Sequence, residues 1–209
     1  MSPHSKLSRA TLTPDAVLQL LRDGNERFVS GNPVARAHDA DIAATSGGQF
    51  PLAIVLGCID SRVPVELLLD VGVGDVFSAR VAGNVVNNDM LGSVEFACKV
   101  AGAKLIVVLG HSRCGAVMGA CDGVELGHLT SLLGRIRPAA EAVRERLGRP
   151  EADSTDAEFV QAVALENVSR SIAELRARSA VIKEQLDAGE IRAVGAVYDV
   201  SSGRVTFLD

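Results

Sequence analysis

Two clusters hold the residues best able to do chemistry. They are Cys58-Ile59-Asp60-Ser61-Arg62 and His111-Ser112-Arg113-Cys114, the second starting 53 residues after the first. Thiolates and an imidazole are the soft and borderline donors of a tetrahedral zinc site, and three protein ligands leave a fourth position open, as in catalytic zinc. Cys58, His111 and Cys114 are the expected ligands. Asp60 has two roles open to it. It can ligate the metal as a fourth group and close the site. Alternatively it can pair with Arg62, two residues on, through a charge-assisted hydrogen bond, and accept a hydrogen bond from a metal-activated water. A purely structural zinc has no use for that pair. Two thiolates offset the charge of a divalent ion, so any activity that depends on a metal-activated water is expected to rise toward alkaline pH. A thiol–disulfide couple of Cys58 and Cys114 is the competing chemistry.

Each cluster follows an apolar run that reads as a buried strand, LAIVLG (52–57) and LIVVLG (105–110). In an open parallel sheet, residues just past the strand ends converge on one crevice. The rest of the pattern alternates. Thr13 caps a helix with Pro14 at its first position, Gly31-Asn32-Pro33 ends it, and 34–50 reads as a short helix and a loop. A short helix over 65–69, the turn Gly72-Val73-Gly74 and a strand over 76–81 follow. Asn87 or Asn88 caps a helix through Val100, and another helix begins at or just before Cys114. Residues 128–148 form an amphipathic helix broken or kinked by Pro138, with further helices over 157–176 and 179–188. IRAVGAVYDV–SSG–RVTFL reads as a two-stranded hairpin. The fold class is α/β: a mostly parallel sheet of about four strands plus an antiparallel C-terminal strand, flanked by helices. Residues 1–209 make one domain, with 1–12 flexible and 13–50 an N-terminal helical arm.

Composition excludes several functions. The chain of 209 residues has a formal charge of −5, and its 3% of aromatic residues includes no Trp, so neither a basic face nor a base-stacking platform for nucleic acid is expected. No apolar run nears the ~20 residues of a membrane span, and the polar start, MSPHSKLSRATLTP, lacks a signal-peptide core. We expect a cytoplasmic protein whose four cysteines are thiols or ligands. Cys98 and Cys121 read as small buried hydrophobes. His4, His38 and His128 read as solvent-facing or capping residues. Gly72-Val73-Gly74 lacks the third glycine of a dinucleotide fingerprint and precedes a strand, not a helix.

CIDSRVP (58–64) and GHSRCGAV (110–117) resemble the paired zinc signatures of the beta-class carbonic anhydrases. The likeness extends through LTPDAVLQLLRDGNERFVSGN (12–32) and GDVFSARVAGN (74–84) to VGAVYDVSSGRVTF. It implies a carbonate dehydratase that interconverts carbon dioxide and bicarbonate through a zinc-bound hydroxide, with one Zn2+ per subunit on Cys58, His111 and Cys114. Asp60 and Arg62 would be the catalytic pair. Gln49 and the Gly115 N–H would bind substrate oxygens, and Phe77 and Phe96 would be apolar wall positions, while Ala82 is smaller than the branched residue expected there. A homodimer or homotetramer is implied, with each site near a subunit boundary. Val55 stands where members with an inhibitory bicarbonate pocket carry Trp, which implies an open zinc without that switch. Hydrolysis of carbon disulfide or carbonyl sulfide on the same scaffold is an alternative, and so is a non-catalytic zinc- or bicarbonate-binding module.

Overall fold

The computed structural model describes Arg9 and residues 11–208. Apart from Arg9, Thr11 and Leu12, the segment expected to be flexible lies outside the described residues, as does His4. Five strands form one sheet: β1 (Ala53–Gly57), β2 (Val76–Arg80), β3 (Leu105–His111), β4 (Arg192–Tyr198) and β5 (Val205–Leu208). Their order is β2-β1-β3-β4-β5, with β1 to β4 parallel and β5 antiparallel to β4. Every residue of β1 and β3 is buried, as near-continuous apolar runs require when helices cover both faces of a parallel sheet. The chain passes from β1 to β2 on one side and then returns to β3 on the other. The switch therefore lies between β1 and β3, the two strands that end at the chemical clusters.

Side-chain alternation sorts the strands into two cores. On one face, Val55, Leu105, Val107, Leu109 and Tyr198 pack against α1 (Pro14–Val29) and the short α3 (Val65–Leu68). Val17, Leu18 and Leu21 of α1 are essentially inaccessible, each contributing roughly 1.5–3 kcal/mol by burial. Thr13 accepts from Ala16 N at 3.2 Å to cap α1, and α2 (His38–Thr45) completes the arm. Asp70 fastens this arm: Arg27 and Arg36 both donate to its carboxylate, as does Val34 N. On the other face, Ile54, Leu56, Ile106 and Val108 meet α4 (Asn88–Glu95), α8 (Ala157–Arg178) and α9 (Ala180–Asp187). Asn87, Asp156 and Ser179 cap these three helices through their side chains. A third core, built on α5 (Gly115–Cys121), α6 (Gly127–Leu133) and α7 (Arg137–Leu147), backs the strand ends.

Three expectations need correction. The helix over 128–148 is two helices, α6 and α7, and the break falls at 134–136. Pro138 lies in the first turn of α7 rather than breaking it, a position where its missing N–H costs nothing. The last turn before Val100 is π-helical, over Phe96–Val100. The helix expected at or just before Cys114 begins at Gly115. Cys98 and Cys121 are buried free thiols, and His38 and His128 are exposed. Among the described residues, no helix is long and apolar enough to cross a membrane.

Candidate metal centre

Cys58 directly follows β1 and His111 is the last residue of β3, and the pairing of Gly57 with Leu109 sets them side by side. Arg113, with a left-handed φ of 55°, turns the chain from β3 into α5. Cys114 is the extended N-cap residue of α5. The three side chains are buried, and their donor atoms all lie within 4.8 Å of one another.

The histidine carries the clearest signal of a missing partner. Its Nδ1 lies 3.0 Å from the Ser112 carbonyl oxygen, which makes Nδ1 the donor and leaves the lone pair on Nε2. That Nε2 is buried and has no hydrogen-bond partner, a costly state for a polar atom. Two sulfurs and an unpaired imidazole nitrogen are a donor set that a metal ion satisfies. The sulfurs are 4.0 Å apart. Donation from Cys114 holds Cys58 well below the ordinary thiol range against the opposing effect of burial. The same bond, reinforced by burial, pushes Cys114 up. Gly83 N also donates to Cys58 Sγ, at 3.3 Å.

Asp60 turns to Arg62. Its Oδ1 accepts from Arg62 N and Nε, each at 2.9 Å, and its Oδ2 accepts from Nη2 at 2.7 Å. This fork holds the Asp60 carboxyl far below the usual carboxylate range. Oδ2 stands 3.9 Å from His111 Nε2, so the carboxylate borders the cluster. Arg62 Nη2 also donates to Arg113 O at 3.2 Å, tying the two loops together. Arg80, paired with Gly57 across β2, donates to Cys58 O at 2.8 Å and Asp60 O at 2.6 Å.

A cavity of about 390 Å³ opens onto Cys58 and Asp60, with Ala82, Gly115, Ala116, Val124 and Leu133 among its walls. Gln49, Phe77 and Phe96 of the same chain are elsewhere. Gln49 is exposed beside Thr45–Gly48 and Val73. Phe77 and Phe96 meet edge to face, with centroids 6.1 Å apart, and line a second cavity of about 690 Å³ with Ile54 and Met90. Val55 is fully buried in β1. Sequence reasoning missed Arg80, Gly83 and Asn167. The last of these, on α8, donates from Nδ2 to Gly83 O at 2.8 Å, and a polar residue inside an apolar helical stripe was its only signal.

Comparisons with known proteins show the family of the chain. The carbonic anhydrase family model matches residues 53–205. Carbonic anhydrase 2 of Mycobacterium tuberculosis is 40% identical over 199 residues, which cover 94% of this chain and 93% of that protein. Among solved structures, a tetrameric beta-carbonic anhydrase of Sordaria macrospora superposes with a TM-score of 0.70 at 30% identity, over 78% of this chain and 83% of that one. The beta-carbonic anhydrase CafA of Aspergillus fumigatus gives 0.74 at 28% identity, over 93% and 90%. The chain belongs to the beta-class carbonic anhydrases.

Proposed function

We propose that this protein hydrates carbon dioxide reversibly to bicarbonate and a proton, using zinc held by Cys58, His111 and Cys114. The observation that carries the reading is the buried, unpartnered Nε2 of His111, set among two sulfurs and beside the Asp60–Arg62 fork. Zinc bound there would supply a Lewis acid that turns water into a nucleophile, less readily at neutral pH than a three-histidine site because two thiolates temper its charge. Asp60 accepts a hydrogen bond from the attacking water and so sets which lone pair faces the cavity. Its carboxyl is held too acidic to keep a proton, so it orients and does not act as the final base. Arg62 maintains that charge and orientation through two parallel bonds. Ala82, Ala116, Val124 and Leu133 offer a small apolar substrate a dry surface. The Gly115 N–H is a donor for the bicarbonate oxygens as charge develops on them.

The chain acts as a homodimer or homotetramer in this reading, with Gln49, Phe77 and Phe96 of one copy completing the cavity of the next. Support comes from the exposed apolar pair Phe96 and Val100, 51% and 72% accessible, which suits an interface, and from the tetrameric Sordaria macrospora relatives. Four free cysteines fit the reducing cytoplasm. Stopped-flow hydration of carbon dioxide by zinc-loaded protein, with carbon disulfide turnover measured beside it, tests the activity. Rapid hydration with negligible carbon disulfide turnover is expected. A zinc-loaded protein inert toward carbon dioxide refutes the proposal.

A further inference from the structure

The Ala82–Asn84 turn touches the Cys58–His111–Cys114 cluster at Cys58, where the Gly83 N–H donates to Sγ at 3.3 Å. Glycine is required there twice over. Its φ is 66°, and an added Cβ would lie 2.5 Å from Cδ1 of Ile136 and 3.2 Å from the Cβ of Ala116. The turn is held from behind by α8. Asn167 Nδ2 donates to Gly83 O at 2.8 Å, and Ser171 Oγ donates to Asn84 O at 3.2 Å. Both side chains are almost wholly buried, at 3% and 4% accessibility. They interrupt a buried helix stripe otherwise made of Phe159, Val160, Val163, Ala164, Val168 and Leu175. Burying a polar group is unfavourable unless it is bonded, so these two residues point to a task beyond covering the sheet. α8 reaches the turn because Gly110 and Gly195 admit it: a Cβ at either would lie within 2.8 Å of a Val168 methyl.

We infer that Asn167 is a positioning residue for the metal centre: by fixing the Gly83 carbonyl it aims the Gly83 N–H at the Cys58 thiolate and tunes that sulfur as a ligand. This rests on the reading of Cys58 as a metal ligand. Donation from an N–H withdraws charge from a thiolate and offsets part of the damping that two sulfurs exert on a bound ion's acidity. Outer-shell partners of this kind change metal affinity or activity roughly 10- to 100-fold.

The test uses Asn167→Leu, which removes the donor, and Asn167→Asp, which keeps the volume but sets an acceptor against Gly83 O. Ile182→Val, in α9, is the control for general destabilisation. Cobalt-substituted protein reports the thiolate-to-metal charge-transfer band, and transfer of zinc to a colorimetric chelator reports its release. Both Asn167 variants should shift the band and release zinc roughly tenfold faster, while Ile182→Val does neither. Asn167 variants that melt earlier yet keep the wild-type band and release rate overturn the inference, as does an Ile182→Val that moves them equally. Wild-type protein loaded with cadmium-113 gives an assay independent of variant folding. Scalar coupling between the Gly83 amide proton and cadmium is expected, and its absence overturns the inference. Wild-type protein that loads no metal at all overturns the metal reading and this inference together. Normal loading with indistinguishable variants overturns this inference alone.

Discussion

Asp60→Asn separates catalysis from stability. Asparagine keeps one acceptor oxygen, which can still serve Arg62 N and Nε, but it sets an NH2 where Oδ2 now accepts from Nη2 at 2.7 Å. Two donors cannot share that gap, so the fork has to open. The atom nearest His111 Nε2, 3.9 Å away, changes from acceptor to donor, and the attacking water loses its orienting partner. A hydrogen bond to a charged group contributes about 1.5–3 kcal/mol, equivalent to roughly 10- to 150-fold in rate. We therefore expect kcat/KM for carbon dioxide hydration to fall by that factor with zinc content unchanged, because Asp60 is not one of the three donors. Asp60 is 17% accessible but its partner Arg62 is 47% accessible, and an ion pair screened by solvent on one side adds little stability. The melting temperature should accordingly shift by no more than about 4 °C. Stopped-flow kinetics with zinc analysis and a melting curve decide the matter. Activity within threefold of wild type, at full zinc content, refutes the role given to Asp60.

Arg62→Lys keeps the charge but loses the planar fork, so hydration should slow by about tenfold or more with normal zinc content, and wild-type kinetics would contradict the pairing argument. Asp70→Asn should do the reverse. Asp70 is 2% accessible and Arg36 11%, and breaking a buried pair costs about 3–5 kcal/mol; Arg27 at 35% places the loss near 3 kcal/mol, read from urea unfolding, with activity of the folded enzyme unchanged. Burial works to raise the Asp70 pKa, but Arg36 and Arg27 together outweigh it and hold it below the ordinary value. Its stabilisation is therefore full above an unfolded pKa of about 3.9 and fades as pH falls through the folded value. The gap between wild type and Asp70→Asn should close on acidification, and a loss under about 0.5 kcal/mol or a gap constant with pH would rule this out. Hydration should quicken toward alkaline pH because two thiolates temper the metal's charge, and a flat profile under chemistry-limited conditions would contradict the ligand set.

The strands and the grouping of Cys58, His111 and Cys114 were legible because their signals are local. LAIVLG and LIVVLG are apolar throughout, as strands buried on both faces must be, and Cys58 and His111 follow from where those runs end. The Asp60–Arg62 pair was legible because two residues of separation confine it to one loop. The α6–α7 junction was misread because Pro138 looks like a breaker, whereas a first helical turn accommodates proline. The π-helical turn at Phe96–Val100 has no compositional signature. Arg80, Gly83 and Asn167 escaped because their partners lie 22, 25 and 84 residues away. Such contacts are set by strand register and by the approach of α8 at Gly110 and Gly195, which no local window holds. Gln49, Phe77 and Phe96 line other surfaces of the chain that carries them, so any part they play at the cluster depends on a neighbouring copy.

Metal content measured together with carbon dioxide hydration tests the central claim most directly. Protein purified without chelator should carry about one zinc per chain, lose its hydration activity when the zinc is stripped, and regain both on readdition. Folded protein that hydrates carbon dioxide equally well after complete zinc removal, or a Cys58→Ser variant that binds zinc and turns over as wild type does, would contradict the account.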